Sequence, residues 1–515
     1  MLILSIYPVR SNCSGRWPLA SERAIISNRP VETQTQNRTD TQNDRGNVGL
    51  PRSLGLISAI AVLVGSTVGS GIFRSPAGIA QKVSDESLFL LLWVLGGLFS
   101  LCGALTYAEL AGALPRTGGV FVYLREGFGR LPAFLFGWSE LVVIRASALG
   151  AIATVFAEYM LRLLGEPVTV EVQTATGLAQ QSAPIVHYTA AAAIVLVAVF
   201  NFLGVNIGAV VQNLTTGAKY AALVLLVVMS FLIGGRYDSP VVSQPSADAA
   251  TSVTLFGLAL ISVLWVFDGW ADVTFVSGEV KRPERNLPLA LIIGTLLVLA
   301  IYLLTNLAYL HLLDINQISQ SRLVAADAAF RILGNAGVTL VSIAVMISAF
   351  GTLNGSMMTG PRIFFAMADD GLFFRKIASV HSRFKTPYVA IWLAAGLAVV
   401  FVMVRTFEQL ANTFVLAIWP FYALGVAAVY TLRRKRPDLA RPYRTLGYPV
   451  TPALFILAAV FLLGNALIDD LKYYGVLSTD SPPTSASGAL MVFGIILAGV
   501  PAYLLWQAFH RPSSE

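Results

Sequence analysis

The sequence predicts an all-α integral membrane protein with about 12 transmembrane helices. Three observations carry that expectation: an apolar composition, apolar runs of membrane-spanning length, and a lopsided distribution of basic residues. The 515-residue chain is 56% hydrophobic and only 12% charged, with a mean hydropathy of +0.70. A soluble chain of ordinary composition carries about 25% charged residues, so a water-soluble globular protein is excluded. Two cysteines, Cys13 and Cys102, cannot build a disulfide framework and point to no metal cluster.

Residues 12–50 are rich in Ser, Thr, Asn, Gln and Arg, and 32–47 are almost wholly polar. Such a segment cannot bury a core, so 1–50 is expected to be a disordered polar tail. The apolar residues 1–9 are too few for a signal sequence and lack a basic leader, so cleavage is not expected. From Pro51 onward, apolar segments follow one another at 54–79, 87–113, 131–163, 185–203, 209–234, 253–277, 288–311, 335–360, 387–404, 409–432, 452–468 and 488–508. Each is near the ~20 residues a helix needs to cross ~30 Å of hydrocarbon. Barrel strands would be shorter and would alternate apolar with polar residues, whereas stretches such as 88–95 and 221–230 are apolar all round.

Twelve spans place both ends of the chain on one side. With that topology 25 of the 35 Lys and Arg fall on the side of the termini and 8 on the other, with Arg145 and Lys219 inside spans. The bias satisfies the positive-inside rule, so both termini are expected in the cytoplasm and the chain in the plasma (inner) membrane. The run Arg433-Arg434-Lys435-Arg436 reads as a topology anchor on the same rule, and no nucleic-acid partner is expected.

Two spans carry interruptions. The first holds Gly65-Ser66-Thr67-Val68-Gly69-Ser70-Gly71-Ile72-Phe73 at mid-depth. Taken alone this fits equally an unwound segment, since glycine disfavours helix, or a small-residue packing face. The sixth span holds Trp265-Val266-Phe267-Asp268-Gly269-Trp270, an acid and a glycine among aromatics at a matching depth. A buried acid is expensive and marks function. Interruptions five spans apart predict inverted five-helix repeats around a midplane site, with the last two spans outside the repeat. Non-helical backbone in a membrane is tolerated only where it is buried in protein or lines a cavity. Its freed N–H and C=O groups suit an anion and a cation respectively, hence a zwitterion.

The interrupted first span resembles the glycine-rich first helix of the amino acid-polyamine-organocation (APC) transporter family. Tyr107-Ala108-Glu109-Leu110, Pro115-Arg116-Thr117-Gly118-Gly119 and Tyr123-Leu124-Arg125-Glu126 resemble its second helix and the connection that follows. Asp268-Gly269-Trp270 and the string from Gly278 through Glu279, Lys281, Pro283 and Asn286 to Pro288 are similar to its sixth helix and next loop, closest to the L-type amino acid transporter branch. Val211-Gln212-Asn213 and Lys219 agree as well. The resemblance implies a leucine-transporter-type fold and secondary active transport of an amino acid, expected to be neutral, by alternating access without a cofactor; proton symport, exchange and facilitated diffusion all stay open. It implies that the substrate carboxylate meets N–H groups around Ser70, Gly71 and Ile72, and that the amine meets carbonyls near Val64 and Gly65 and near Trp265 and Val266, with Ser66, Gly69, Phe267, Asp268, Gly269 and Trp270 completing the expected binding site. Trp265 falls where that branch places an aromatic gate, and Trp270 matches its sixth-helix Trp. Ala271 stands where that branch often has Asn. The domains expected are the tail 1–50, a transport core 51–435 and the C-terminal helices 436–515.

Lys219 lies ten residues into its span, ~15 Å deep at 1.5 Å per residue. In the resembling family a Lys there stands where sodium-coupled relatives hold an ion. Two roles stay open: a desolvated group that carries a coupling proton, or a fixed cation linking the first and fifth helices. Arg145 cannot shed its proton, so Glu140, Glu109 or Asp268 is expected to pair with it. Asp268 either binds the amine of a cationic amino acid or polyamine, which is the competing substrate class, or caps a freed helix end. No enzyme is expected. The sequence has no His-Glu-x-x-His or Gly-x-Ser-x-Gly, and Gly217-Ala218-Lys219-Tyr220 fails as a phosphate loop. A channel-like pore would need a filter string or charged rings, and neither is visible. With Cys13 in the tail and Cys102 inside a span, no disulfide-linked heavy-chain partner is expected.

Overall fold

In the computed structural model, residues 52, 54–116, 118–174, 177–203, 205–235, 253–373, 376–377, 379–384, 386–477 and 486–509 are described. The polar tail 1–50, with Cys13, lies outside them, as do the side chains of Gln212 and Asn213. Helices dominate because the apolar runs leave the backbone no partner but itself. The first half comprises α1 (Leu56–Thr67), α2 (Gly71–Ala80), α3 (Glu86–Ala113), the short α4 (Val120–Phe128), α5 (Arg130–Ser139), α6 (Arg145–Leu164), α7 (Pro184–Leu203) and α8 (Val205–Leu232). The second comprises α9 (Val253–Phe267), α10 (Pro283–Leu312), α11 (Ile315–Gln320), α12 (Val324–Asp369), α13 (Tyr388–Val404) and α14 (Phe407–Lys435). Outside both lie α15 (Val450–Tyr473) and α16 (Ala489–Phe509).

Among the described residues nine helical stretches are long and apolar enough to cross a membrane, and the bent pair α1 and α2 makes a tenth. α13 and the described apolar part of α8, Lys219–Leu232, are shorter apolar helices at the positions of the two remaining expected spans. Helix ends obey local chemistry. Asp85 accepts from Leu88 N at 2.8 Å to cap α3, and Thr406 with Gln409 forms a capping box on α14. The third passage runs 35 residues, Arg130–Leu164, and absorbs a π-helical turn at Glu140–Ile144. The eighth begins before the expected residue 335, and Gly334 (φ 58°) kinks α12 where that span was read to start.

Equivalent helices of the two five-span sets pack on each other: α3 on α10, and α6 on α12, are the two most extensive pairings. That is the signature of halves related by an internal two-fold. A two-rung backbone tie joins the start of α1 to the far side of the second interruption. Leu54 N donates to Glu279 O (3.0 Å) and Lys281 N to Leu54 O (2.8 Å). An antiparallel hairpin, β1 (Thr169–Thr174) with β2 (Gly177–Ser182), fills the connection between α6 and α7 and was not anticipated from the sequence.

Candidate functional site

The first break spans residues 68–70 between α1 and α2, whose axes differ by 43°. Thr67 Oγ1 donates to Leu63 O (2.9 Å) and Val68 N to Val64 O (2.8 Å), which completes the last turn of α1. Beyond it, the N–H groups of Ser70, Gly71 and Ile72 find no acceptor among the described residues. Orphan donors at the positive end of a ten-residue helix favour an anion.

In the second break α9 stops at Phe267, residues 268–271 form a turn, and a 3₁₀ helix continues over Asp272–Glu279. Gly269 has φ 104°, and a Cβ there would lie 2.8 Å from Ser66 C and Thr67 N. Only glycine adopts that conformation and permits that approach, so the two breaks touch backbone to backbone. Tyr302 on α10 secures the contact. Its Oη lies 2.7 Å from Thr67 O and 3.0 Å from Val266 O, so one hydroxyl proton serves the carbonyl ends of both interrupted helices.

A cavity of about 520 Å³ adjoins the breaks. Of the residues expected at a site, Gly65, Ser66, Gly69, Ser70, Gly71, Trp265, Val266, Asp268 and Gly269 line it; Val64, Ile72, Phe267 and Trp270 do not. Trp270 instead packs between Tyr107, Tyr422 and Phe455, and Phe267 between Trp93 and Tyr302. The wall also carries Glu140, Arg145 and Asp272. Arg145 pairs with Glu140, the first of its expected partners, and donates to Ser356 Oγ at 2.8 Å. Glu109, another expected partner, is occupied by Arg433 and Thr445. Asp268 Oδ1 accepts from Tyr422 Oη at 2.9 Å. Lys219, 1% exposed, donates from Nζ to Gly65 O at 2.5 Å and so ties α8 to the last turn of α1.

One end of the cavity is shut. The Trp265 ring stands edge-on to Phe414 (centroids 5.0 Å) and Phe407 (6.4 Å), and Arg74 lies 5.1 Å over the Phe407 ring. Arg74, 3% exposed, holds Glu158 on α6 (2.9 Å) and Glu408 on α14 (2.6 Å), and Arg322 adds a second bond to Glu158 (3.3 Å). Tyr159 Oη donates to Phe73 O at 3.0 Å beneath this cluster. At the other end the walls continue along Ser58 and Ala61 to Leu54, and both Ser58 and Ala61 are exposed. The ionic cluster escaped the sequence reading, which placed Arg74 among the charges outside the hydrocarbon. The available signal was topological: Arg74, Glu158 and Glu408 lie at span ends that twelve crossings bring to one side.

Two interrupted helices in equivalent positions, touching beside a cavity closed at one end, define a membrane carrier of the inverted-repeat type. The amino acid permease family profile matches residues 54–500, and the chain belongs to that family. It is 32% identical over 458 residues to the serine/threonine exchanger SteT of Bacillus subtilis, which covers 88% of this chain and 97% of the relative. Human b(0,+)-type amino acid transporter 1 is 32% identical over 415 residues, 80% of this chain and 82% of the relative. The human cystine/glutamate transporter is 31% identical over 466 residues, 90% and 87% respectively. The chain is thus a multi-pass membrane protein of a transporter family, not an enzyme family.

Proposed function

We propose that the protein carries neutral L-amino acids across the membrane by alternating access, exchanging one for another. The observation that carries this reading is the contact between the two breaks, which sets free N–H groups and turned-out carbonyls on one cavity wall. The substrate carboxylate sits on the N–H groups of Ser70 and Gly71, the two of the three orphan donors whose residues line the cavity. Its amine meets Gly65 O and Val266 O, which accept from Lys219 and Tyr302 and each keep a second lone pair. The exchange mode is supported by the likeness to the Bacillus subtilis relative, a serine/threonine exchanger. Lys219 is the resident cation that fixes α8 to α1; the competing role is that of proton carrier.

The Arg74 cluster is the closed outer gate, and the path along Ser58 leads to the cytoplasm. The 25-to-8 division of basic residues supports this sidedness, a plasma (inner) membrane location and cytoplasmic termini. The protein works without a disulfide-linked partner, Cys102 being within the α3 span. A second reading, cationic amino acids or polyamines, is favoured by the three carboxylates of Glu140, Asp268 and Asp272, against one cation, Arg145, among the described residues of the cavity wall.

Uptake of a panel of labelled amino acids and polyamines by proteoliposomes preloaded with amino acid tests both readings. Saturable uptake of neutral amino acids that needs internal substrate and ignores a pH gradient is expected. Preference for cationic compounds would install the second reading. Gradient-driven uptake whose gradient dependence vanishes in Lys219→Ala would make Lys219 the proton carrier. In Gly71→Leu a Cβ stands 3.1 Å from Val266 Cγ2 and 3.3 Å from Val266 Cα, and the larger side chain fills the carboxylate position. Binding should disappear while the protein still folds, with a lowered melting temperature as Val266 gives way; full affinity would exclude this placement.

A further inference from the structure

We infer that Trp265, besides closing the cavity, donates its indole N–H to the carboxylate held at the start of α2, and so selects free carboxylates over carboxamides. The inference rests on the carrier reading above and names the group that sets its headgroup specificity. Two independent observations converge on one point. The first is the set of unpaired N–H groups at residues 70–72, at the start of a helix of ten residues. The second is Trp265 Nε1, which has no hydrogen-bond partner among the described residues although the residue is only 8% exposed. This nitrogen stands 3.4 Å from where a Cβ on Gly71 would lie, so it is placed at the same corner of the cavity wall.

An indole nitrogen only donates, and a buried donor left unpaired is costly. A protein acceptor would satisfy it in every state of the cycle; here the acceptor has to arrive with the ligand. The backbone N–H groups of Ser70 and Gly71 and the Trp265 indole N–H are all donors, a set suited to a two-oxygen anion and unsuited to the –NH₂ of an amide. The ring plane is fixed by its near-perpendicular contact with Phe414, at 83°, so the N–H direction is set before the ligand binds. The same ring meets Phe407 beneath Arg74, so the donor that senses the carboxylate belongs to the aromatic layer next to the closed gate.

The test compares the affinity of one neutral amino acid with that of its carboxamide, by melting-temperature shift and by competition for uptake. Two variants are used. Trp265→Phe removes the N–H. Replacement of Trp265 by 3-benzothienylalanine puts sulfur in place of the N–H and keeps the bicyclic shape, so the comparison survives if the Phe variant folds poorly. Loss of one charge-assisted hydrogen bond should weaken acid binding about tenfold and leave amide binding unchanged. Equal weakening of acid and amide would reduce Trp265 to a packing element, and unchanged acid affinity in the isostere would overturn the inference outright. Failure of the wild-type protein to bind any amino acid would instead remove the carrier reading, and this inference with it.

Discussion

At the residue scale, Gly269 and Tyr302 hold the two breaks together by opposite means, one through lacking a side chain and the other through a single proton. In Gly269→Ala the left-handed φ of 104° and the close approach to Ser66 and Thr67 are both penalised. The conformational term alone is ~1–2 kcal/mol. A lower melting temperature together with lost substrate binding is expected, and normal binding would mean that the breaks need not touch. Tyr302→Phe keeps the ring, which packs on Phe267 and Trp93, and removes the hydroxyl. The carbonyls of Thr67 and Val266 then compete for no donor, at a cost of about 1–3 kcal/mol. The expected result is a destabilised protein whose affinity falls more than its expression; wild-type affinity would remove Tyr302 from the account.

At the element scale, the ends of α2, α6 and α14 are joined by Arg74, and the two acids it holds are unequal. Glu158 is fully buried, whereas the Glu408 side chain is 39% exposed. Glu408→Gln should therefore loosen the closed end while leaving the fold intact, since a partly exposed pair is worth ~1 kcal/mol or less. Thr352→Cys in the cavity wall, in a chain with Cys13→Ala and Cys102→Ala, should then react faster with a membrane-impermeant thiol reagent added from outside. Unaltered labelling would show that the cluster is not the barrier. Arg74→Met strands the buried Glu158 with Arg322 as its remaining partner and should cost several kcal/mol, up to the ~3–5 of a broken buried pair, in the melting curve. Elements were legible in proportion to their local chemistry. Apolar runs marked the passages because hydrocarbon length is a fixed requirement, and the glycines with Asp268 marked both breaks because such residues are costly in a helix. The hairpin at Thr169–Ser182, the π-helical turn at Glu140 and the Arg74 cluster were missed. The π turn leaves no composition signal, and ion pairs between residues 84 and 334 positions apart exist only once the fold is known. Trp265 was marked as a gate by resemblance, but its unpaired nitrogen is visible only in three dimensions.

At the scale of the whole molecule, the transport machinery begins with the tie at Leu54, where the family profile also begins. Deleting residues 1–49 should leave exchange activity and melting temperature unchanged, measured side by side with the full chain in the same lipid. A collapse of either would assign the polar segment a structural role that its composition does not suggest. The Leu54 tie is not legible in the sequence, because a pair of peptide hydrogen bonds has no side-chain signature. Its mechanical meaning follows from where it sits. Leu54 leads into α1, Val280 ends the 3₁₀ helix, and the two strands of backbone are stitched together at the mouth of the cavity. A swing of either interrupted rod at this end must drag the other with it. Entry and exit are then worked by one lever with two arms, and a load felt at either arm is felt at both.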